Sequence, residues 1–168
     1  MTVRHICFAL LVTALSVTAA SSPSLAVETV RFSANVEPGT IFVRTRERKL
    51  YYVVERGQAL RYTVGVGRAG KQWFGTTRIV TKALSPAWTP PAAIRGNRPA
   101  WVIPSGSPQN PMGAAALVLA DSELAIHGTN NPGSIGGFVS WGCIRMNNSD
   151  VMDLYSRVSV GVPVVIAH

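Results

Sequence analysis

Residues 85–113 constrain the fold of this chain more than any other part of its sequence. They contain seven of its 11 prolines and two of its four tryptophans. Proline fixes φ and removes the backbone N–H that a sheet needs, so a regular strand cannot run through this segment. A stretch of this length without regular structure, inside a compact domain, predicts a lid or a binding loop. An inert crossover stiffened by proline is the alternative.

The sequence on both sides of this segment carries the pattern of β-strands. Its apolar runs are rich in Val, Ile, Phe and Tyr, and Arg56-Gly57 between two of them predicts a hairpin turn. The predicted strands cover residues 40–44, 49–55, 59–66, 76–84, 114–120, 124–127 and 164–166. We therefore expect a mostly-β domain.

One helix is predicted near the end of the chain, from Asp150 to Val158. Apolar residues at positions 151, 154, 155 and 158 follow the spacing of a helix with one buried face. Ser149 or Asn148 is a candidate cap for its first turn. This short helix directly follows Cys143, so its N-terminal end is expected near that thiol.

Residues 1–26 have the pattern of a cleaved signal peptide. Ile6–Val17 is an almost unbroken apolar run, too short to span a bilayer, and Ser24-Leu25-Ala26 offers small residues at a cleavage site. An uncleaved membrane anchor is the alternative. The prediction is one exported domain, residues 27–168, in the periplasm or at the cell wall.

The mature chain is basic. Without residues 1–26, which include Arg4, it has 15 Lys and Arg against 8 acidic residues, a net charge of +7. Such a charge favours anionic polymers. The basic residues are scattered and have no aromatic-interleaved cluster, so we do not expect nucleic acid as a partner. Three explanations of the positive charge are left: binding to the cell wall, binding to lipid headgroups, or a surplus of charge that only keeps the protein soluble.

Removing the signal peptide leaves one cysteine, Cys143, and two histidines, His127 and His168. A thiol becomes a nucleophile when a base removes its proton or its thiolate is stabilised. His168 is the terminal residue, where position is poorly controlled, so His127 is the predicted base. An inert buried thiol is the alternative. One cysteine and one well-placed histidine are too few ligands for zinc, and we expect neither a metal nor a cofactor.

The residues around Cys143 suit acyl transfer. Gly142 allows the backbone to approach a substrate and to direct N–H groups at a developing oxyanion. Arg145 can bind a substrate carboxylate through two hydrogen bonds. An ion pair between Arg145 and Asp150 is the structural alternative.

Three motifs together resemble a known family. They read IHGTN at 126–130, PGSIG at 132–136 and SWGCIRMNNSDV at 140–151, and they closely resemble the signature of bacterial L,D-transpeptidase catalytic domains. A weaker resemblance extends to RYTVGVGR at 61–68, PAWTPP at 86–91 and NPMG at 110–113.

The resemblance implies a β-sandwich of mixed sheets, with the cysteine at the mouth of a groove partly roofed by a loop. It implies Cys143 as nucleophile, His127 as base and Gly128 as the residue whose carbonyl orients that base. The N–H groups of Gly142 and Cys143 would form the oxyanion hole. The side chains expected to contact substrate are those of Arg145, Trp141 and Asn130.

The implied reaction is attack on the third stem-peptide residue of peptidoglycan with release of D-alanine. An amine then takes the acyl group, giving a 3-3 cross-link or attaching a lipoprotein or an outer-membrane protein to the wall. Carbapenem-type inhibitors are implied as ligands. Hydrolysis of the same bonds by an L,D-carboxypeptidase or endopeptidase, a wall amidase, and a non-catalytic wall-binding module are the alternatives. Trp141 departs from the family pattern, in which many members have histidine at that position.

Overall fold

The structure, a computed structural model, describes residues 27–120 and 123–168. The predicted signal peptide, residues 1–26, lies outside the described residues. The two helices of the described part are α1 (Ala92–Arg95) and α2 (Asn148–Arg157), and Pro132–Ser134 forms a 3-10 turn. Its strands are β1 (Glu28–Arg31), β2 (Ile41–Arg44), β3 (Lys49–Glu55), β4 (Gln58–Thr63), β5 (Val66–Gly67), β6 (Gly75–Leu84), β7 (Ala115–Leu119), β8 (Ala125–His127), β9 (Phe138–Ser140), β10 (Ile144–Arg145) and β11 (Pro163–Ala167).

Nine strands are joined in the order β1-β4-β3-β2-β11-β6-β7-β8-β10. The long strand β6 connects the two halves, because residues 75–78 pair with β11 whereas residues 79–84 pair with β7. β11 is parallel to β2, and β10 is parallel to β8. β5 and β9 form a separate parallel pair. This mixed, mostly-β architecture confirms the predicted fold class.

One hydrophobic core is shared by both halves and by α2. Its buried side chains include Ile41 and Leu50 from one half, Leu117 and Ile126 from the other, and Leu154 from the helix. α2 packs against β7, the strand next to β8. Since the core holds β7, β8 and α2 together, it fixes the position of His127 at the end of β8.

The local predictions were confirmed at the hairpin and needed correction at the helix. β3 and β4 pair around Arg56-Gly57, where Gly57 has a φ of +86° that suits glycine. The helix begins two residues earlier than predicted, at Asn148. The N-cap residue is Asn147, which makes no side-chain cap bond. The capping prediction was wrong because Asn148 and Ser149 lie within the first turn.

The proline-rich segment forms a closed loop around Asn110. Trp88 and Ile103 exchange two backbone hydrogen bonds, of 2.9 and 2.8 Å. The Asn110 amide donates to the carbonyls of Pro86, over 2.8 Å, and Pro104, over 3.1 Å. The helix α1 was not predicted, because four residues carry no periodic pattern. No regular strand passes through the segment, as its proline content predicts.

Within the part of the chain that the structure describes, we find no helix that is both long and apolar enough to cross a membrane.

Candidate active site

The pairing of β8 with β10 brings the two predicted reactive residues to one end of the sheet. In this parallel pair Ile144 lies opposite Ile126 and Arg145 lies opposite His127. Cys143 directly precedes β10, and the Ala125 backbone is within hydrogen-bonding reach of its thiol. Sequence reasoning placed Cys143 and His127 in one site. The structure places both on the surface of one groove of about 480 Å³.

His127 is held in one orientation by the backbone. The ring is buried, and its Nδ1 atom lies 2.7 Å from the carbonyl oxygen of Gly128. A carbonyl can only accept, so Nδ1 carries the proton and Nε2 is left as the basic nitrogen of the neutral ring. The carbonyl of Pro111, from the proline-rich segment, also faces the ring. Gly128 therefore has the orienting contact that the resemblance implies, although the catalytic roles stay predictions.

The resting charges of this pair follow from burial. Burial lowers the pKa of His127 to about 4, and Arg145 adds to that effect, although the carbonyls of Gly128 and Pro111 oppose it. Burial also raises the pKa of the Cys143 thiol, which the Ala125 backbone and Arg145 partly offset. Near neutral pH the resting pair is a thiol and a neutral imidazole. Proton removal must accompany attack, which is the task of a general base.

The turn before Cys143 is held by Ser140. Its hydroxyl donates to the Cys143 carbonyl over 2.6 Å and accepts from the Gly142 N–H over 3.0 Å. The predicted oxyanion hole used the N–H groups of Gly142 and Cys143. In this structure the Gly142 N–H is occupied by Ser140, so it is not a free donor. The Cys143 N–H, in contrast, has no hydrogen-bond acceptor in the described part of the chain.

Two of the three predicted substrate contacts line the groove. Arg145 lines it, and among the described residues its Nε is a buried atom without a hydrogen-bond partner. The alternative ion pair with Asp150 is not among the salt bridges of the described residues, and that carboxylate accepts from Asn147 and Ser149. Trp141 also lines the groove.

Asn130 is the exception among the predicted substrate contacts. Its side chain turns to the proline-rich segment, donates to the Pro108 carbonyl over 3.4 Å, and is not part of the groove surface. In this structure the Asn130 amide is therefore bound to the proline-rich segment.

Asn148 is a structural residue of the site whose role the sequence analysis missed. Its side-chain oxygen accepts from the N–H groups of Ala114 and Thr129, each over 3.0 Å, and its amide donates to the Thr129 carbonyl. A Cβ on Gly128 would lie 2.3 Å from that oxygen, so only glycine fits there. The motif spacing gave no signal for this link, because Asn148 also suits a helix cap.

Two cations lie against the ring of Trp141. The Arg68 guanidinium carbon lies 3.6 Å from its ring centroid, and the Lys71 ammonium lies 4.9 Å from it. Such contacts orient an exposed indole and keep positive charge at the rim of the groove. The position that is histidine in many members of the resembled family is here an aromatic wall.

The other lining of the groove comes mainly from the proline-rich segment. Its apolar residues there are Trp88, Pro90, Pro91, Ala92, Ala93, Ile94, Ala100, Pro111 and Met112. In the described residues, no group of three or more His, Cys, Asp or Glu side chains comes together that could bind a metal ion. A thiol and an imidazole lie in this groove beside a largely apolar surface, together with the charged side chains of Arg95, Glu123 and Arg145.

Comparison with known proteins gives a consistent result. The model of the YkuD family, described as the L,D-transpeptidase catalytic domain, matches residues 38–166. The chain is 36% identical over 135 residues to YbiS of Escherichia coli (strain K12), named as a probable L,D-transpeptidase. That match covers 74% of this chain and 43% of YbiS. A match to YkuD of Bacillus subtilis (strain 168) is 53% identical over 60 residues and covers 37% of that protein. The chain thus spans less than half the length of these relatives.

Solved structures share the fold. L,D-transpeptidase 3 from Mycobacterium tuberculosis superimposes with a TM-score of 0.59 at 16% identity, covering 77% of this chain and 60% of that chain. The same enzyme is also known in complex with a faropenem-derived adduct. The catalytic domain of the Enterococcus faecium enzyme gives a TM-score of 0.61 at 17% identity, covering 80% of this chain and 100% of that chain.

Proposed function

The chain belongs to the YkuD family of L,D-transpeptidase catalytic domains, and we propose on that premise that it is a cysteine acyltransferase acting on peptidoglycan stem peptides. The observation that carries the proposal is that Cys143, directly before β10, and His127, at the end of the neighbouring strand β8, line one groove, with His127 oriented by the Gly128 carbonyl. We also propose that the mature protein begins at Val27 and acts outside the cytoplasm.

The first half of the reaction forms an acyl-enzyme. The Cys143 sulfur attacks the carbonyl carbon of the third stem residue, and the thiol proton moves to Nε2 of His127. The carbonyl oxygen becomes an oxyanion that accepts from the Cys143 N–H. When the intermediate collapses, the bond to the D-alanine nitrogen breaks. The proton on His127 leaves with that nitrogen, so D-alanine departs as an amine and the acyl group stays on sulfur.

The second half transfers the acyl group. An acceptor amine attacks the thioester carbonyl and gives a proton to Nε2 of His127. The carbon–sulfur bond then breaks, and the thiolate regains that proton as an amide forms. A second stem peptide as acceptor gives a 3-3 cross-link, whereas a lipoprotein or outer-membrane protein would be attached to the wall.

The charges and surfaces of the groove support a peptide substrate that carries carboxylates. Arg145 lines the groove, and its charge lowers the pKa of both His127 and Cys143. Its unpartnered Nε can donate to a stem carboxylate. The apolar wall of residues 88–94 excludes water from the thioester, which favours transfer to an amine over hydrolysis.

The test uses a purified tetrapeptide stem fragment with and without an acceptor stem, analysed by mass spectrometry. We expect a 3-3 linked product and loss of D-alanine, and neither with Cys143→Ser. A tripeptide as the sole product would indicate an L,D-carboxypeptidase. Incubation with a carbapenem is the second measurement. An adduct of β-lactam mass on Cys143 is expected, as the faropenem complex of the M. tuberculosis enzyme suggests, and its absence would leave a non-catalytic wall-binding module.

A further inference from the structure

Trp73, outside the three motifs, contacts the turn that carries the nucleophile. It lies between β5 and β6, and its indole Nε1–H donates to the Gly142 carbonyl over 3.1 Å. The same connection is tied to this turn a second time, because the Arg68 N–H donates to the Ser140 carbonyl over 3.0 Å. An indole N–H can only donate, so the direction of the Trp73 hydrogen bond is fixed.

The peptide that Trp73 contacts also carries the Cys143 N–H. In a trans peptide the carbonyl and the following N–H point in opposite directions, and the described residues contain no cis peptide bond. The Cys143 N–H therefore points away from Trp73. Trp73 lines a separate cavity of about 300 Å³, whereas Cys143 lines the groove. The N–H therefore lies on the side of this peptide opposite the Trp73 hydrogen bond, in a residue that lines the groove.

This N–H is the donor that the turn leaves free. The Gly142 N–H donates to the Ser140 hydroxyl, whereas the Cys143 N–H has no acceptor in the described part of the chain. A hydrogen bond to a carbonyl polarises the whole peptide unit and strengthens its N–H as a donor. The Trp73 contact therefore acts on the one peptide whose N–H can meet a developing oxyanion.

We infer that Trp73 is a positioning residue for acyl transfer, which fixes and polarises the Gly142–Cys143 peptide so that its N–H binds the oxyanion of the tetrahedral intermediate. The inference rests on the proposed acyl transfer at Cys143. Trp73 does not touch the reacting atoms, and it acts through the Gly142 carbonyl. Its removal should slow reactions that form an oxyanion and spare other reactions of the same sulfur.

The test compares two reactions of Cys143 in the full chain carrying Trp73→Phe, which keeps an aromatic ring and removes the donor. In acylation by a carbapenem, the sulfur–carbon bond forms, the ring carbon–nitrogen bond breaks, the thiol proton ends on that nitrogen, and an oxyanion forms on the way. In alkylation by iodoacetamide, sulfur displaces iodide, the thiol proton goes to water, and no oxyanion forms. We expect acylation to slow about ten- to a hundredfold, with the rate and pH dependence of alkylation unchanged.

Tyr52→Phe is the matched control. Its hydroxyl donates to the Arg157 carbonyl over 3.4 Å, away from the groove, so both reactions should keep their wild-type rates. Equal slowing of acylation and alkylation in Trp73→Phe would show that Trp73 only maintains the thiol environment and would overturn the inference. Unchanged acylation would also overturn it. If the wild-type chain alkylates but is not acylated, the proposed function fails first, and the inference fails with it.

Discussion

The floor and the wall of the groove differ in how their polar groups are bound. In the floor, residues 125–129, 140 and 142–145, the polar side chains of His127 and Ser140 bind the backbone of the floor itself. The wall, residues 88–94, presents mainly apolar side chains and is closed by the pairing of Trp88 with Ile103. The floor therefore fixes the positions of a few reacting atoms, whereas the wall determines the shape of the groove. Substitutions in the floor should therefore change the rate of acyl transfer more than substitutions outside it.

Loss of either reactive group of the floor should have the largest effect. Cys143→Ser and His127→Ala are each expected to lower stem-peptide turnover by more than about a thousandfold. The double variant should be little slower than either single variant, because the two residues act as one unit. Turnover is measured by release of D-alanine, with circular dichroism as the check on folding. Activity of the His127→Ala protein would show that another residue acts as the base. It would also contradict the predicted difference between floor and wall.

The burial of His127 predicts a loss of stability in acid. Its pKa is lowered in the folded state from 6.5 to about 4, so the folded protein favours the neutral ring. The stabilisation is complete above pH 6.5 and is lost as the pH falls toward 4. It amounts to roughly 3 kcal/mol of the free energy of unfolding. Denaturant titrations of wild type and His127→Gln, from pH 7.5 to 4, measure it. If the free energies of unfolding of the two proteins changed in parallel with pH, the His127 ring would titrate normally and would not be buried in solution.

A side chain at Gly142 should disturb the floor without touching the reactive groups. Gly142 has a φ of +125°, and an added Cβ would lie 3.0 Å from the Leu124 side chain. Gly142→Val is expected to slow carbapenem acylation about a hundredfold, because the Cys143 N–H would shift with the turn. Gly39→Val is the control, since its φ is +87° and nothing lies within 4 Å of the added Cβ. That variant should lose stability and keep its acylation rate. Equal rates for both variants would contradict the role of the floor.

Trp141→His should have the smallest effect. Trp141 lies where the floor meets the wall, and its indole is stacked under Arg68 without a role in proton transfer. We expect an acylation rate within about threefold of wild type, or higher, because histidine keeps an aromatic ring that a guanidinium can stack upon. A hundredfold loss would show that this side chain belongs functionally to the floor.

Much of the fold could be predicted from local sequence. The boundaries of β3 follow from its β-branched and aromatic residues, the turn at Arg56-Gly57 from turn chemistry, and α2 from its apolar spacing. β9 and β10 were missed, because strands of two or three residues have no measurable period. They exist because tertiary pairing with β5 and β8 supplies the hydrogen bonds that their own sequence does not indicate.

The site was predictable only where one motif fixes one residue. Cys143 and His127 could be named from the chemistry of their side chains and the motifs around them. Asn130 was assigned from the family resemblance and Asn148 from its place before the predicted helix. In the structure each binds a backbone distant in sequence: Pro108 for Asn130, and Ala114 and Thr129 for Asn148. Trp73 contacts a residue 69 positions away. Such links depend on the assembled sheet, which no local pattern contains.

The position of β11 has a consequence for how the chain reaches its native state. β11 separates β2 from β6 in the sheet, and its pairing joins Val164 to Ile41, so a late segment completes a sheet begun by an early one. Closing so long a loop makes folding slow. A growing chain on the ribosome cannot close this sheet until β11 has emerged. For a protein that we propose is exported, this delay keeps the polypeptide open during synthesis, when a translocation channel must receive it unfolded.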